Sequence, residues 1–222
     1  MMMEKISSDT GSAYDAIRSR IFDGRLSPGQ KISHRGLAHE LGVGQMPVRS
    51  ALQLLASEGL VNIIDKSGTY INEPTRDDLR EIYEFRLALE STATYLAAQN
   101  GPTERMTRAS EQMRRFIDEN NTDIMTEQKV GWVFHDEIFK AARNDRLWWT
   151  YRLLRAQTHA LNELPRDDST TVRRGTREHL EIYIAIHARD AEAARRLMWQ
   201  HVIDGTPDRI RLIRAQNDNN AQ

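Results

Sequence analysis

The segment from Leu37 to Leu52 constrains the fold of this chain more than any other part of its sequence. It reads Leu-Ala-His-Glu-Leu-Gly-Val-Gly-Gln-Met-Pro-Val-Arg-Ser-Ala-Leu, and the residues 58–61, Glu-Gly-Leu-Val, follow shortly afterwards. Two short amphipathic helical patterns meet at a turn that begins with Gly42, and glycine tolerates the left-handed backbone that ends a helix. The second pattern keeps one face apolar and the other polar. Such a helix is typical of those that lie in a DNA groove.

The polar face of the second pattern carries three side chains suited to reading bases. Gln45, Arg49 and Gln53 are spaced at i, i+4 and i+8, so they share the face turned away from the apolar stripe. The paired donors and acceptors of Arg and Gln match the edges of guanine and adenine. We therefore predict that these residues contact DNA. The alternative is a three-helix unit that packs against something else and whose polar face is only solvated.

The flanking segments complete a winged helix-turn-helix pattern. Three helices are expected, from Ser12 to Gly24, after Ser33, and from Gln45 to Glu58.

The last part of this pattern is a hairpin. Residues 60–64 and 69–72 are rich in branched and aromatic side chains, which predicts two strands joined by a turn at 65–68. We interpret this hairpin as a wing, with Lys66 at its tip able to reach a phosphate or the minor groove. Residues 1–11 are polar and patternless, and we expect them to be disordered.

The charge of the chain is balanced, which limits how it can bind nucleic acid. Its 222 residues contain 31 Lys and Arg against 32 Asp and Glu, for a net charge of -1. Residues 1–75 contain eight basic and eight acidic residues. One copy is therefore expected to bind DNA weakly, through a local patch. Two copies on a symmetric site would roughly double the phosphate contacts, so we predict a homodimer on a double-stranded DNA operator.

The composition also predicts a location. The chain has no cysteine, so nothing points to an oxidising compartment. No apolar stretch approaches the ~20 residues needed to cross a bilayer, and the N-terminus lacks the apolar core of a signal peptide. We expect a cytoplasmic protein without a membrane partner.

A polar segment at residues 74–78 interrupts the pattern, and we place the domain boundary there. Residues 1–76 are predicted to form the winged helix-turn-helix and residues 77–222 a second domain. From Leu79 onward the pattern is helical almost throughout, which predicts six or seven helices in an antiparallel bundle. The predicted fold class is therefore mainly α.

Three histidines in the second domain lie on apolar faces of different predicted helices. They are His135, His179 and His201. A single inward histidine is more often a hydrogen-bonded core residue than a metal ligand. Three histidines that converge favour a metal site more strongly, because buried imidazoles need hydrogen-bond or ligand partners and one divalent metal ion can bind all three. Spacing alone does not show convergence, so both interpretations stay open.

Residues 12–74 resemble the winged helix-turn-helix of the GntR family. The residues that match the family pattern are Leu37, Ala38, Leu41, Gly42, Val43, Pro47, Val48, Arg49, Ala51, Leu52, Glu58, Gly59, Leu60, Val61 and Gly68. The resemblance implies that Arg35, Arg49 and Gly68 at the wing tip contact DNA. At residues 44–46 this chain has Gly-Gln-Met, where the family usually has Ser-Arg-Thr. This departure removes a charged contact, so we expect the operator to differ from the family's commonest one.

Residues 77–214 resemble the FCD ligand-binding domain of FadR-type GntR regulators. The similarity rests on an ordered set of motifs: Tyr83-Glu84-Phe85-Arg86-x-x-Leu89-Glu90, Phe134-His135-x-x-Ile138, Asn144-x-x-Leu147, Glu178-His179-x-x-Ile182 and the final His201. In metal-binding members, an Asp four residues before the first His joins three His as ligands. His135, His179 and His201 match these histidines, whereas Gly131 stands at the Asp position.

The missing fourth ligand bears on the choice of metal. A three-nitrogen site can hold Zn or Ni with open positions for water or ligand, whereas Mn would lose its one hard protein ligand. The alternative is that the metal has been lost and partly protonated histidines bind an anionic ligand directly.

In either case the resemblance implies a small organic acid as effector. Arg86 is the candidate partner for its carboxylate, because the planar guanidinium pairs with two oxygens. Asn144 is a second candidate from the family motifs. The alternative for Arg86 is an ion pair with Glu90 or a neighbour.

These patterns predict a dimeric, ligand-responsive transcription factor, with repression relieved by the ligand as the favoured direction. The rival class is a metal-dependent hydrolase whose three-His site activates water. Against this, no Glu or Asp is placed as an obvious general base on the same face, and the polar helix would have no role. A third class, a scaffold without ligand, predicts a dry apolar bundle, which inward histidines contradict.

Overall fold

The computed structural model describes residues 8–119, 123–157 and 169–220. The chain divides into two compact units. The first contains the residues up to Thr75 together with a short segment that begins at Arg155, and the second contains the rest.

The first unit combines helices with a small antiparallel sheet. Its elements are α1 (Ser8–Phe22), β1 (Lys31–Ile32), α2 (His34–Leu41), α3 (Gln45–Ser57), β2 (Val61–Ile64) and β3 (Gly68–Ile71). The strand order is β1-β3-β2, with Lys31 opposite Tyr70 and Val61 opposite Ile71. The predicted winged helix-turn-helix is confirmed, with β2 and β3 as the wing.

Local signals in the sequence end α2 and start α3. Ser33 caps α2, since its hydroxyl accepts a hydrogen bond from the Gly36 N–H at 3.0 Å. Gly42 ends α2 with a φ of 66°, in the left-handed region that glycine adopts without strain. Gly44 precedes α3 and offers no side-chain cap. The residues of α3 that face the core are fully buried: Val48, Ala51, Leu52 and Leu55.

The start of α1 differs from the sequence prediction. We expected disorder through residue 11 and a helix start at Ser12, but α1 begins at Ser8. Thr10 is buried, and the polar composition of this segment does not indicate such burial. Residues 1–7 lie outside the described residues.

The sheet also contains one strand that the sequence did not predict. Strand β1 has only two residues, which is too short to produce an alternating pattern. It exists because β3 offers it backbone partners on the side away from β2.

The segment that begins at Arg155 belongs to the first unit, although the sequence places everything after residue 76 in the second domain. Ala156 is buried in the apolar core of the first unit. Gln157 donates a hydrogen bond from Nε2 to the Glu58 carbonyl at 2.9 Å. A helical pattern does not reveal such long-range packing, so the sequence alone could not assign these residues.

The second unit is all-helical in its described residues, as predicted. Its helices are α4 (Arg76–Asn100), α5 (Glu104–Asp118), α6 (Ile124–Ala141), α7 (Asp145–Gln157), α8 (Ser169–His187) and α9 (Ala191–Asn220), and the part of α7 from Arg155 onward belongs to the first unit. Helix α6 packs against α4, α5 and α8, and α9 packs against α4 and α8. This arrangement brings α6, α8 and α9 around a common core. None of the helices in the described ranges has the length and apolar character needed to cross a membrane.

Candidate DNA interface and metal centre

Helix α3 presents its polar face to solvent. Gln45, Arg49 and Gln53 are all exposed, opposite the buried stripe of the same helix. Within the described part of the chain, no hydrogen bond or ion pair engages the Arg49 guanidinium. An arginine in this state is available to approach a base edge.

The end of α3 is tied to α1 by a hydrogen bond that the sequence did not indicate. The Tyr14 hydroxyl donates to the Glu58 carboxylate, whose oxygens lie 2.7 and 2.9 Å away. Burial and the neighbouring Glu58 raise the pKa of Tyr14 to about 12, so the hydroxyl keeps its proton at neutral pH. Because Glu58 directly follows α3, this bond fixes the orientation of the polar helix face within the first unit.

Two exposed cations lie on the sheet, Lys66 in the wing and Lys31 on the neighbouring strand β1. Lys66 lies in the turn between β2 and β3 with a φ of 58°. At Gly68, an added Cβ would lie 2.8 Å from Lys31 Cε, so the glycine makes room for the Lys31 side chain. The Lys31 Nζ in turn lies 5.6 Å from the centre of the Tyr70 ring. Sequence reasoning missed Lys31, because a lone lysine in a two-residue strand has no pattern.

Helix α2 contributes the remaining predicted DNA contact. Arg35 is exposed in its first turn. The neighbouring His34 places Nε2 2.8 Å from Thr69 Oγ1, which links α2 to β3. Contacts within the first unit thus hold the three predicted DNA-contacting parts in place: Arg35, the polar face of α3 and the wing.

The three predicted histidines converge in the second unit. His135 lies on α6, His179 on α8 and His201 on α9. The Nε2 atom of His179 lies 3.0 Å from His135 Nε2 and 3.0 Å from His201 Nε2. His135 and His179 are buried, and His201 is partly buried. The group could therefore hold a metal ion.

Two carboxylates contact the outer nitrogens of these rings. Glu90 Oε2 lies 2.6 Å from His135 Nδ1, and Glu178 Oε2 lies 2.6 Å from His201 Nδ1. The contact at His201 is a hydrogen bond, which keeps the proton on Nδ1 and leaves the Nε2 lone pair directed inward. Sequence reasoning did not identify these contacts, although both glutamates lie in the quoted motifs.

Charge and burial set the protonation of this centre. Burial lowers the pKa of the His135 ring, an effect that the attraction of Glu90 does not cancel. Burial opposes the ionisation of Glu90, but the Arg86 guanidinium and the His135 ring hold the pKa of that carboxyl well below its usual range. At neutral pH, His135 is therefore neutral and Glu90 is charged. A neutral imidazole is the form that binds a metal.

The geometry of the donors fits a metal that prefers nitrogen ligands. Zn–N bonds of about 2.0–2.1 Å in a tetrahedral arrangement put neighbouring nitrogens about 3.3 Å apart, close to the observed separations. Gly131 supplies no ligand, and a Cβ at that position would lie 3.0 Å from His179 Cε1. The His179 ring thus occupies the space next to the Gly131 backbone.

The two predicted effector residues make contacts within the protein. Arg86 is mostly buried, and its Nε donates to Glu90 Oε1 at 2.7 Å, which is the ion pair that the sequence left open as an alternative. The Asn144 Oδ1 accepts a hydrogen bond from the Leu147 N–H at 3.2 Å at the start of α7. Of the predicted site residues in this unit, the structure brings the three histidines together, whereas Asn144 caps helix α7.

Comparison with known protein families identifies the family of each unit. The gntR family of bacterial regulatory proteins matches residues 10–71. The FCD domain matches residues 81–204, which is more than half of the chain. The chain belongs to the GntR family, and its second domain is an FCD domain. Regulators of this family bind DNA operators and take a small-molecule effector through the FCD domain.

The relatives of this GntR-family chain are named as transcriptional regulators, and the similarity extends over most of their length. It is 27% identical over 192 residues to the uncharacterised HTH-type transcriptional regulator YdhC of Bacillus subtilis, covering 86% of this chain and 84% of that protein. It is 26% identical over 207 residues to the HTH-type transcriptional repressor RspR of Escherichia coli, covering 92% and 90%.

Solved structures of the family share the fold. The Escherichia coli protein McbR/YncC matches with a TM-score of 0.70 and 19% identity, covering 95% of this chain and 99% of that one. A GntR transcriptional regulator from Rhodococcus sp. RHA1 matches with a TM-score of 0.71 and 23% identity, covering 91% and 98%.

The family shows that this GntR-family chain is a DNA-binding transcriptional regulator and not an enzyme. The hydrolase alternative therefore gains no support. In the described part of the second unit, Glu90 and Glu178 contact the Nδ1 atoms of His135 and His201. They lie behind the rings, not on the Nε2 side where a general base would be needed.

Proposed function

We propose that this chain is a homodimeric, cytoplasmic repressor whose affinity for its operator is set by a small organic acid bound at a three-histidine metal centre. The observation that carries the proposal is the convergence of His135, His179 and His201 through their Nε2 atoms. The same chain carries an exposed Arg49 on α3 that no residue of the described ranges pairs with, and we assign the reading of DNA to this helix.

The proposed DNA contacts are divided by their chemistry. Gln45, Arg49 and Gln53 would contact base edges, because they share the solvent face of α3. The cation of Lys66 would contact a phosphate or the minor groove, and Arg35 a phosphate. The backbone of Gly68, which has no side chain in the way, would approach the same phosphate or minor groove.

The balanced charge of residues 1–75 supports the proposal of a homodimer. Its eight basic and eight acidic residues over positions 1–75 supply little general attraction to DNA. Two copies on a two-fold symmetric operator double the number of contacts and make binding steeply salt-dependent. The direction of regulation, repression, is supported by the relative that carries the name of a repressor.

The three histidines would hold zinc or nickel through Nε2, with Glu90 and Glu178 fixing the rings. Such an ion supplies a Lewis-acidic centre with open positions for carboxylate oxygens. Manganese fits less well, because Gly131 takes the place of a carboxylate ligand.

The effector proposal follows from the same centre. A small carboxylate would bind on the Nε2 side of the histidines, where Glu90 and Glu178 do not compete for space. Arg86 stays a candidate partner for the carboxylate through its position in the family motif, and to reach the Nε2 side its guanidinium would have to turn away from Glu90, to which its Nε donates in this structure. Asn144 stays a second candidate through its position in the family motif.

The metal proposal is tested by elemental analysis of protein purified without a nickel column. We expect close to one zinc or nickel ion per chain. His179→Ala should lose the ion, because the nitrogen that lies next to both other histidines is gone. His187→Ala is the matched control, since His187 is exposed on the same helix. A content below ~0.2 metal per chain would contradict the metal.

The effector proposal is tested by thermal melting with a panel of small carboxylates. One of them should raise the Tm of the wild type when no chelator is present, should leave it unchanged when a chelator is present, and should weaken operator binding.

A second prediction concerns the glycine beside the centre. Gly131→Ala adds a methyl group 3.0 Å from His179 Cε1, so the ring has to move, and we expect zinc affinity to fall about tenfold. Gly175→Ala is the control, because its Cβ would lie 4.0 Å from His201 Cε1, an ordinary contact.

Both glycines lie inside helices, so both alanine variants gain about 1 kcal/mol of helix propensity. The difference between them therefore isolates the contact with the ring. Equal zinc affinities, measured by competition with a chromogenic chelator, would show that Gly131 does not constrain His179.

A further inference from the structure

Met46 is the most exposed large apolar side chain in the described residues, at 67%. It lies in the first turn of α3, directly after Gln45 and one turn before Arg49. A lone exposed apolar residue is common on protein surfaces and by itself indicates nothing. The position of Met46 is what matters, since residues three apart on a helix have neighbouring side chains. Met46 therefore lies beside Arg49 on the solvent-facing side of the helix.

The major groove offers one apolar group to such a side chain. Each base pair presents hydrogen-bond donors and acceptors there, and only thymine adds a methyl group at C5. Methionine is unbranched and polarisable, so it adapts to a methyl group without needing a hydrogen bond. Placed against the polar edge of any other base, it would desolvate groups that it cannot pair.

Resting on the proposed docking of α3 in the major groove, we infer that Met46 is a specificity-determining residue that contacts the C5 methyl of a thymine. That thymine lies in a base pair next to the one read by Arg49. Met46 selects thymine over cytosine at this position, because the two pyrimidines differ there by the methyl group and by a donor in place of an acceptor.

The test uses the full chain and an operator obtained by selection from random DNA. Each thymine is replaced singly by deoxyuracil, which removes the methyl group and keeps the base pairing. For the wild type, we expect one position in each half-site where this change weakens binding about fourfold, the effect of one buried methyl group. Met46→Ala should bind the selected operator and its deoxyuracil variant at this position with equal affinity. Met46→Leu remains apolar and should still bind the thymine operator more tightly than the deoxyuracil variant.

The outcomes separate this inference from the proposal on which it rests. If Arg49→Ala weakens operator binding but no thymine is sensitive to deoxyuracil, or Met46→Ala keeps the full sensitivity, α3 reads DNA and the inference about Met46 is wrong. If Arg49→Ala has no effect, the proposed docking of α3 itself fails. Because Met46 is exposed, its replacement should leave the Tm unchanged, which checks that the variants fold.

Discussion

Replacing Arg49 by alanine is expected to weaken binding to the operator at least tenfold. The guanidinium is exposed on α3 and no described residue engages it, so the protein loses no internal contact in the variant. A bidentate contact between arginine and guanine contributes about 1–3 kcal/mol of discrimination, and tenfold corresponds to about 1.4 kcal/mol. A gel-shift titration on the selected operator measures the change.

A control variant separates the position of Arg49 from its charge. Arg195 is exposed on α9 and lies 3.0 Å from Glu192, and Arg195→Ala removes the same unit of charge. We expect it to bind the operator like the wild type. The loss in Arg49→Ala should also be larger on the operator than on unrelated DNA, because base contacts carry the sequence preference. An unchanged gel shift would refute the assignment of α3 as the reading helix.

The first unit was largely predictable because its signals are local. The apolar spacing along α3 determines which face is buried, so the exposure of Arg49 follows from Val48, Ala51 and Leu52. Gly42 ends α2 through a backbone preference of glycine itself. Strand β1 was not predictable, because its two residues pair with a strand almost forty residues away.

The centre of the second unit was predictable only in part. Inward-facing histidines could be found from their spacing, but the contact between Glu90 and His135 joins two helices, and no local pattern records it. The effect of Gly131 was likewise hidden. The resemblance to metal-binding FCD domains implies that a ligand is missing there, whereas the structure shows that the His179 ring lies close to where a side chain would begin.

The largest expected effect on stability comes from Glu90. This carboxylate is fully buried and contacts Arg86 Nε at 2.7 Å and His135 Nδ1 at 2.6 Å. Glu90→Ala leaves the Arg86 charge without its partner in the interior, and removing one member of a buried pair costs about 3–5 kcal/mol. Chemical denaturation should show this loss, and Glu90→Gln, which keeps one acceptor for Arg86, should lie between the alanine variant and the wild type.

The same helix provides the control, because Arg80 and Glu84 form an ion pair with the same i, i+4 spacing at 3.1 Å, but both are exposed. Glu84→Ala should cost at most about 0.5 kcal/mol. The pKa of Glu90 is lowered in the folded protein, so its ionised form stabilises the fold above the unfolded value of about 4.3 and this contribution declines as the pH falls. The difference in unfolding free energy between the wild type and Glu90→Gln should therefore shrink as the pH is lowered. If Glu84→Ala and Glu90→Ala lost the same unfolding free energy, burial would not be what makes the Arg86–Glu90 pair important for stability.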